Sequence, residues 1–318
     1  IGETMSLKSN PFIDGSENRH GAPNFIDIKP EHYIPAIDHA IDKAENILEA
    51  IKKNSETPTF ENTMLTMDTC TELLDIVSTT YFNLMGAESD NKFKELAQEI
   101  SPKLSDFSNK VLLDTKLFSR VKYLFEQIED GDFTSEQHRL ISEKYTDFTL
   151  NGALLSDDKK EKVRKIDEEL SKLSPKYSQN SLNATNDYTY YTEDESILSG
   201  IPELAKNQAS ETAKKKGKKS GWMFTLQMPS LLPVLKYANN REVRETLSRA
   251  SGKISFGGKF DNQEIIKKII SLRFDKAQLL GFEDHAEYTL QKRMAGNTKT
   301  VMNFIERLYE VYFSAAEK

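Results

Sequence analysis

The side chains in this sequence that could carry chemistry are five histidines, His20, His32, His39, His138 and His285, the single cysteine Cys70, and a dense population of 50 Asp and Glu residues. Two histidines hold a zinc ion when they stand one helical turn apart, as in a His-Glu-x-x-His run, because residues i and i+4 then share a face. No pair here has that spacing. His32 and His39 lie on one helical pattern but two turns apart, too far to hold one ion between them. Glu283-Asp-His-Ala-Glu287 offers three ligand types at alternate positions, which a helix points to different sides; capping and solvent exposure account for it. A nucleophile needs an activating partner. Cys70 instead sits beside Met67, Leu73 and Leu74 in an apolar helical pattern, where a thiol serves as a small buried side chain. There is no Gly-x-Ser-x-Gly elbow and no glycine-rich phosphate loop. Pairs such as Asp157-Asp158 and Glu168-Glu169 identify nothing among so many acids. Read residue by residue, the sequence assigns no catalytic residue and no metal ligand, and it leaves substrate-binding residues unknown.

The elements that surround these residues follow from composition and periodicity. The 318 residues include 43 Lys and Arg, giving a net charge of −7, and 37% are hydrophobic, enough to build a core. An acidic chain repels phosphate backbones, so nucleic acid is excluded as a partner. The longest apolar clusters fall well short of the roughly 18 to 20 residues that span a bilayer, so no membrane partner is expected. One cysteine excludes an internal disulfide and a multi-cysteine zinc site. Only 14 Gly and 10 Pro interrupt the chain, which favours long helices.

Residues 1–29, rich in Asn, Gly, Asp and Pro and without periodicity, read as an extended N-terminal arm. Residues 30–318 read as a helical domain. Its first helix, Pro30 to Lys53, turns Ile34, Ile37, Ile41, Ala44, Leu48 and Ile51 to one side. Thr59 caps a second helix carrying Phe60 through Tyr81, and a third runs from Phe93 through Val111. A short helix over 116–127 follows, then a Ser/Thr-x-x-Gln capping box at Thr134. Ser156 caps a charged helix with a seam at Val163, Ile166, Leu170, Leu173 and Tyr177, which Pro175 bends or divides. Period two appears only at about 187–192 and 222–227, which predicts one small antiparallel β element. A helix between these strands ends in the basic run Lys214-Lys-Lys-Gly-Lys-Lys219, read as a solvated turn. Helical patterns resume over 229–238, 240–251, 261–280, 284–295 and from the cap Thr298 onward. This last pattern reaches Lys318 without a stop signal, and the chain starts at Ile1 rather than Met; a chain cut short is expected. The fold class is mainly α.

Several stretches, taken in order, resemble the N-terminal half of the thimet oligopeptidase family of zinc metallopeptidases. They are Asn10-Pro-Phe12; Ile28-Lys-Pro-Glu-His-Tyr-Ile-Pro-Ala-Ile37; Pro58-Thr-Phe-Glu-Asn-Thr63; Lys172-Leu-Ser-Pro-Lys-Tyr-Ser-Gln-Asn180 with Ala184-Thr185; Gly221 through Leu235; and Arg273 with Lys276-Ala-Gln-Leu-Leu-Gly-Phe282, then Met294-Ala295. Tyr81-Phe-Asn83 and Leu117-Phe-Ser-Arg-Val121 are closer to its peptidyl-dipeptidase branch, whereas Gly221 to Leu235 is closer to its oligopeptidase A branch. The resemblance implies the N-terminal domain of a two-domain helical enzyme that cleaves short peptides in a channel and releases C-terminal dipeptides. Zinc would be held by an HExxH helix and a further Glu in the second, catalytic domain. None of those residues occurs here, so the resemblance places all chemistry beyond Lys318, leaves this part inactive by itself, and gives it one wall of the channel. Cytoplasmic or periplasmic location fits the resemblance. The rival reading is a non-enzymatic helical module that binds peptides or a partner protein.

Overall fold

A computed structural model describes residues 10–15, 18–87 and 90–317. The helices are α1 (Pro30–Lys53), α2 (Thr66–Thr69), α3 (Glu72–Ala87), α4 (Asn91–Glu95), α5 (Ala97–Leu112), α6 (Thr115–Glu126), α7 (Ser135–Leu150), α8 (Asp157–Asp187), α9 (Glu203–Lys215), α10 (Met228–Tyr237), α11 (Arg241–Ser251), α12 (Gln263–Leu279), α13 (His285–Leu290) and α14 (Thr298–Ala316). Two strands, β1 (Thr189–Thr192) and β2 (Trp222–Thr225), pair antiparallel, with Thr189 opposite Thr225 and Thr192 opposite Trp222. The mainly α class with one small β element is what the periodicities predict. The chain divides into two compact units, one ending at Lys172 and resuming at Ser271, the other Leu173–Ile270.

In the first unit the core forms on α1. Its buried residues are Tyr33, Ala36, Ile37, Ala40, Ala44, Leu48 and Ile51. Ile34 and Ile41, expected on that face, are only half-buried, because the small residues Ala36 and Ala40 lie nearer its centre and let neighbouring helices approach. Tyr33 is an aromatic hub, with Phe12 at 5.1 Å and Tyr81 and Phe93 at 5.4 Å between ring centroids. The Asn10-Pro-Phe12 stretch reaches this hub because the Asn10 side chain donates to the His32 carbonyl and accepts from the Phe12 amide. Residues 1–9 and 16–17 of the predicted arm lie outside the described residues.

The single helix expected after Thr59 is broken into a π-helical turn, Phe60–Leu65, followed by α2 and α3. Three threonines stand at the breaks. Thr66 and Thr69 donate their hydroxyls to the carbonyls of Glu61 and Leu65, and Thr71 bonds Asp75, so side chains compete with the backbone ladder. The Thr59 cap itself forms, reciprocally with Asn62. The capping box at Thr134 also forms. Helix α8 runs unbroken through Pro175, so the proline does not divide it. Helix α14 is capped by Asn297, which accepts from the Thr300 amide. Thr298, expected as the cap, is instead the first helical residue.

A buried cation ties the first unit together. Arg120 on α6 is 8% exposed and donates to the Asn54 and Glu56 carbonyls, to Asn62 Oδ1 at 2.9 Å and to Thr63 Oγ1 at 3.1 Å. Burial pulls its guanidinium below the ordinary arginine value. Lys160, also buried, donates to the Leu113 carbonyl at the end of α5, satisfying a helix terminus.

The second unit packs β2 against α9. Ala205, Ala209 and Ala213 recur every four residues on α9, and their small side chains let the helix come close to Met223 and Phe224. Both of those strand residues are buried, so β2 does not alternate between wet and dry faces. Gly221 has φ +82, and a Cβ there would lie 2.5 Å from the Thr192 carbonyl, so the hairpin requires glycine. Asn180 and Asn262 bond one another, and Asn262 also donates to the Tyr177 carbonyl and to Ser181, which fixes the start of α12 on α8 within this unit.

Replacing Arg120 with Met takes the donor away from four acceptors, of which Thr63 is buried, and urea denaturation should show a loss of about 2–3 kcal/mol. The two hub phenols should respond oppositely to deletion. Tyr81 donates to the Phe93 carbonyl, whereas the buried Tyr33 hydroxyl has no partner among the described residues. Tyr81→Phe should therefore cost about 1–2 kcal/mol while Tyr33→Phe is neutral or stabilising. Burial pushes both phenols from the ordinary value of 10 to about 12. Since the unfolded chain loses these protons first, their contribution is complete below pH ~10 and is lost as pH rises toward 12. Alkaline unfolding followed by circular dichroism should show that window narrow in Tyr33→Phe.

Candidate functional site

The five histidines are placed by four different elements, His32 and His39 sharing α1. His20 is exposed in a turn with φ 62. His32 Nδ1 accepts from the Lys29 amide and so closes the start of α1. His39 is half-buried one turn further along that helix than Pro35. His138 stands 3.8 Å from Glu129. His285 opens α13 beside the Tyr288 ring, and burial, with Arg273 and Lys276 nearby, lowers its pKa. Among the described residues no three His, Cys, Asp or Glu side chains stand together so as to hold a metal ion. The side chains here therefore do not fit a zinc site.

The Glu283 to Glu287 cluster is a helix start. Asp284 accepts from the Glu287 amide as N-cap of α13, the Glu283 carbonyl accepts from Gln278, and Glu287 accepts from the Thr298 hydroxyl at 2.8 Å. Cys70 is 8% exposed, its thiol bonds the Met67 carbonyl, and burial pushes its pKa up, away from the thiolate a nucleophile needs. In the basic run, Lys214 pairs with Glu211 and Lys218 lies 4.6 Å above the Tyr191 ring, so part of its charge is absorbed by α9 and the hairpin. Glu168 pairs with Lys172 one turn later, and Asp158 accepts from Ser156. These charged groups serve local structure.

The feature that stands apart is α14. It is joined to α13 by the Thr298–Glu287 bond, and from Met302 to Glu317 every residue is exposed. Those residues include Phe304, Ile305, Leu308, Tyr309, Tyr312 and Phe313, at 39–66% exposure. Monomeric proteins seldom leave so large an apolar patch in water, and one of this size marks a binding surface. The sequence carried the signal, since the helical spacing of apolar residues announces a face to be buried; it could not reveal that the described residues leave that face bare. What the arrangement defines is a helical scaffold with an exposed apolar face on α14.

Sequence comparison shows what that scaffold is similar to. Residues 234–318, the stretch containing α11 to α14, match peptidase family M3. Over most of its length the chain is 34% identical to oligopeptidase A of Haemophilus influenzae, across 311 residues that are 96% of this chain and 45% of that protein. It is 28% identical to dipeptidyl carboxypeptidase of Salmonella typhimurium, covering 94% of this chain and 44% of the relative, and 27% identical to thimet-like oligopeptidase of Dictyostelium discoideum, covering 83% and 38%. Similarity to these relatives thus extends along nearly the whole chain, the match to peptidase family M3 covers residues 234–318, and the resemblance read from its motifs stands. It spans less than half the length of these relatives. No helix among the described residues is long and apolar enough to cross a membrane.

If α14 is a docking surface rather than part of the core, Leu308→Lys and Tyr312→Lys should each change the unfolding free energy by no more than about 0.5 kcal/mol. Leu117→Ala, in the core, should lose about 2–5 kcal/mol. Binding of an apolar fluorescent dye should fall in the two lysine variants and rise or hold in Leu117→Ala.

Proposed function

We propose that this chain is the helical, non-catalytic portion of a zinc metallopeptidase that cleaves short peptides, and that it forms one wall of the channel through which they reach the metal. The observation that carries this reading is the relationship to oligopeptidase A and dipeptidyl carboxypeptidase over nine-tenths or more of the chain. The zinc belongs to another part of the same polypeptide, in keeping with the lack of a group of ligands among the described residues that could hold it. That part packs on the apolar face of α14, which supplies the surface an intramolecular interface needs. The chain's own residues contribute position and exclusion: a rigid helical wall admits an extended short peptide and turns away a folded protein.

Two cleavage modes fit this architecture. Release of C-terminal dipeptides is the reading suggested by the motifs at Tyr81-Phe-Asn83 and Leu117 to Val121. Internal cleavage of short peptides is favoured by the higher identity to oligopeptidase A, 34% against 28% for dipeptidyl carboxypeptidase. Mass spectrometry of the products from a peptide of about ten residues separates them.

By itself the chain should contain less than a tenth of an equivalent of zinc by elemental analysis and should release no product from a fluorogenic peptide. Mixed with the metal-bearing part of its parent, it should restore hydrolysis. One equivalent of tightly held zinc in the isolated chain, or turnover by it, would refute the assignment.

A further inference from the structure

A cavity of about 520 Å3 opens in the first unit, between α1, α3, α5 and α7. That volume is within the range of small-ligand sites. Its floor is apolar, formed by Met67, Leu74, Phe107 and Val111 with Cys70 among them. Charged groups stand at its edge. Lys144, on α7, is about one-quarter exposed, and the carboxylate paired with it, Asp68, is 3.7 Å away, beyond hydrogen-bond range, so its ammonium donors can still reach a ligand. Also lining the cavity, on α3, Asp75 accepts a hydrogen bond from the Thr71 hydroxyl. A second lining carboxylate, Asp147, is already held by Lys292 at 2.5 Å. Both Lys144 and Asp75 act electrostatically on the Cys70 thiol, in opposite directions, which sets both charges near the floor.

An apolar floor with one charge of each sign at the rim selects among ligands. An amphiphilic anion would meet Lys144 but oppose Asp75, and a cation would do the reverse. A molecule carrying both charges, with an apolar body between or beside them, satisfies all three features. We propose that this cavity binds a small apolar zwitterion, of which a dipeptide of aliphatic or aromatic residues is the type, with its ammonium toward Asp75 and its carboxylate toward Lys144. The assignment rests on the cavity and its charges, not on the peptidase reading, and its test involves no hydrolysis, so either can fail without the other.

Cys70 is the only cysteine of the chain and lies on the cavity floor, so its rate of modification by methyl methanethiosulfonate reports occupancy. Leucyl-leucine should slow that modification saturably, about tenfold when its concentration is about ten times its Kd. Lys144→Gln and Asp75→Asn should each weaken protection about threefold, the usual effect of one rim charge. N-acetyl-leucine and leucinamide, each carrying one charge, should protect less than the dipeptide. Ser78→Phe, which places a ring in the cavity, should abolish protection while circular dichroism shows the helices intact; if that variant fails to fold, the two charge variants still decide. Unchanged modification in the presence of leucyl-leucine, equal protection by N-acetyl-leucine, or protection in both charge variants as strong as in the unaltered chain would overturn the proposal.

Discussion

The first unit depends on keeping one guanidinium dry. A charge removed from water is stable only when hydrogen bonds replace its hydration, and Arg120 finds them in the segment from Asn54 to Thr63. That segment joins α1 to the π-helical turn. Asn62 does three things at once: it caps the turn through Thr59, accepts the Thr63 hydroxyl, and receives Arg120. The connection after α1 therefore cannot shift without stranding a cation, and α6 is held against the start of the second helical layer. Lys160 repeats the device at the end of α5. Charge in both cases closes a loop or a helix end.

A scaffold of this kind acquires a function through what it leaves uncovered. Helix α14 is amphipathic by sequence yet surrounded by water along its length, unlike α1, whose apolar residues are sealed by α3, α5 and α6. Water tolerates single exposed apolar side chains but disfavours a row of them. In the proposed enzyme this row is the seam to the metal-bearing part, and the rigid first unit holds it in place. The relatives share nearly all of this chain, while more than half of their own length lies outside the match.

Much of this was legible in the residues. Periodicity located α1 to its ends, and the capping chemistry of Thr59 and Thr134 was visible because those caps depend on residues three positions apart. Breaks within the Thr59 helix were not, because threonine, which stands at them, is also common within helices. The Thr298 cap was misplaced by one residue, since Asn297 and Thr298 are both good caps and only tertiary contact with Glu287 assigns the hydroxyl elsewhere. Arg120 could not be recognised as buried, for nothing nearby in sequence announces acceptors some sixty residues away. The motifs that carry the family resemblance turn out to be structural in detail: Asn10 pins Phe12, Asn62 meets Arg120, Asn180 meets Asn262, and Gly221 permits the hairpin.

The claim that matters most is that α14 is a covered surface in the working protein. Amide hydrogen exchange over Thr298–Ala316, measured in this chain alone and in the polypeptide that also carries the zinc-binding part, tests it most directly. The account predicts that these amides exchange fast in the first case and become protected by at least about a hundredfold in the second, in keeping with burial of an apolar helix face. Equal exchange in the two proteins would contradict it.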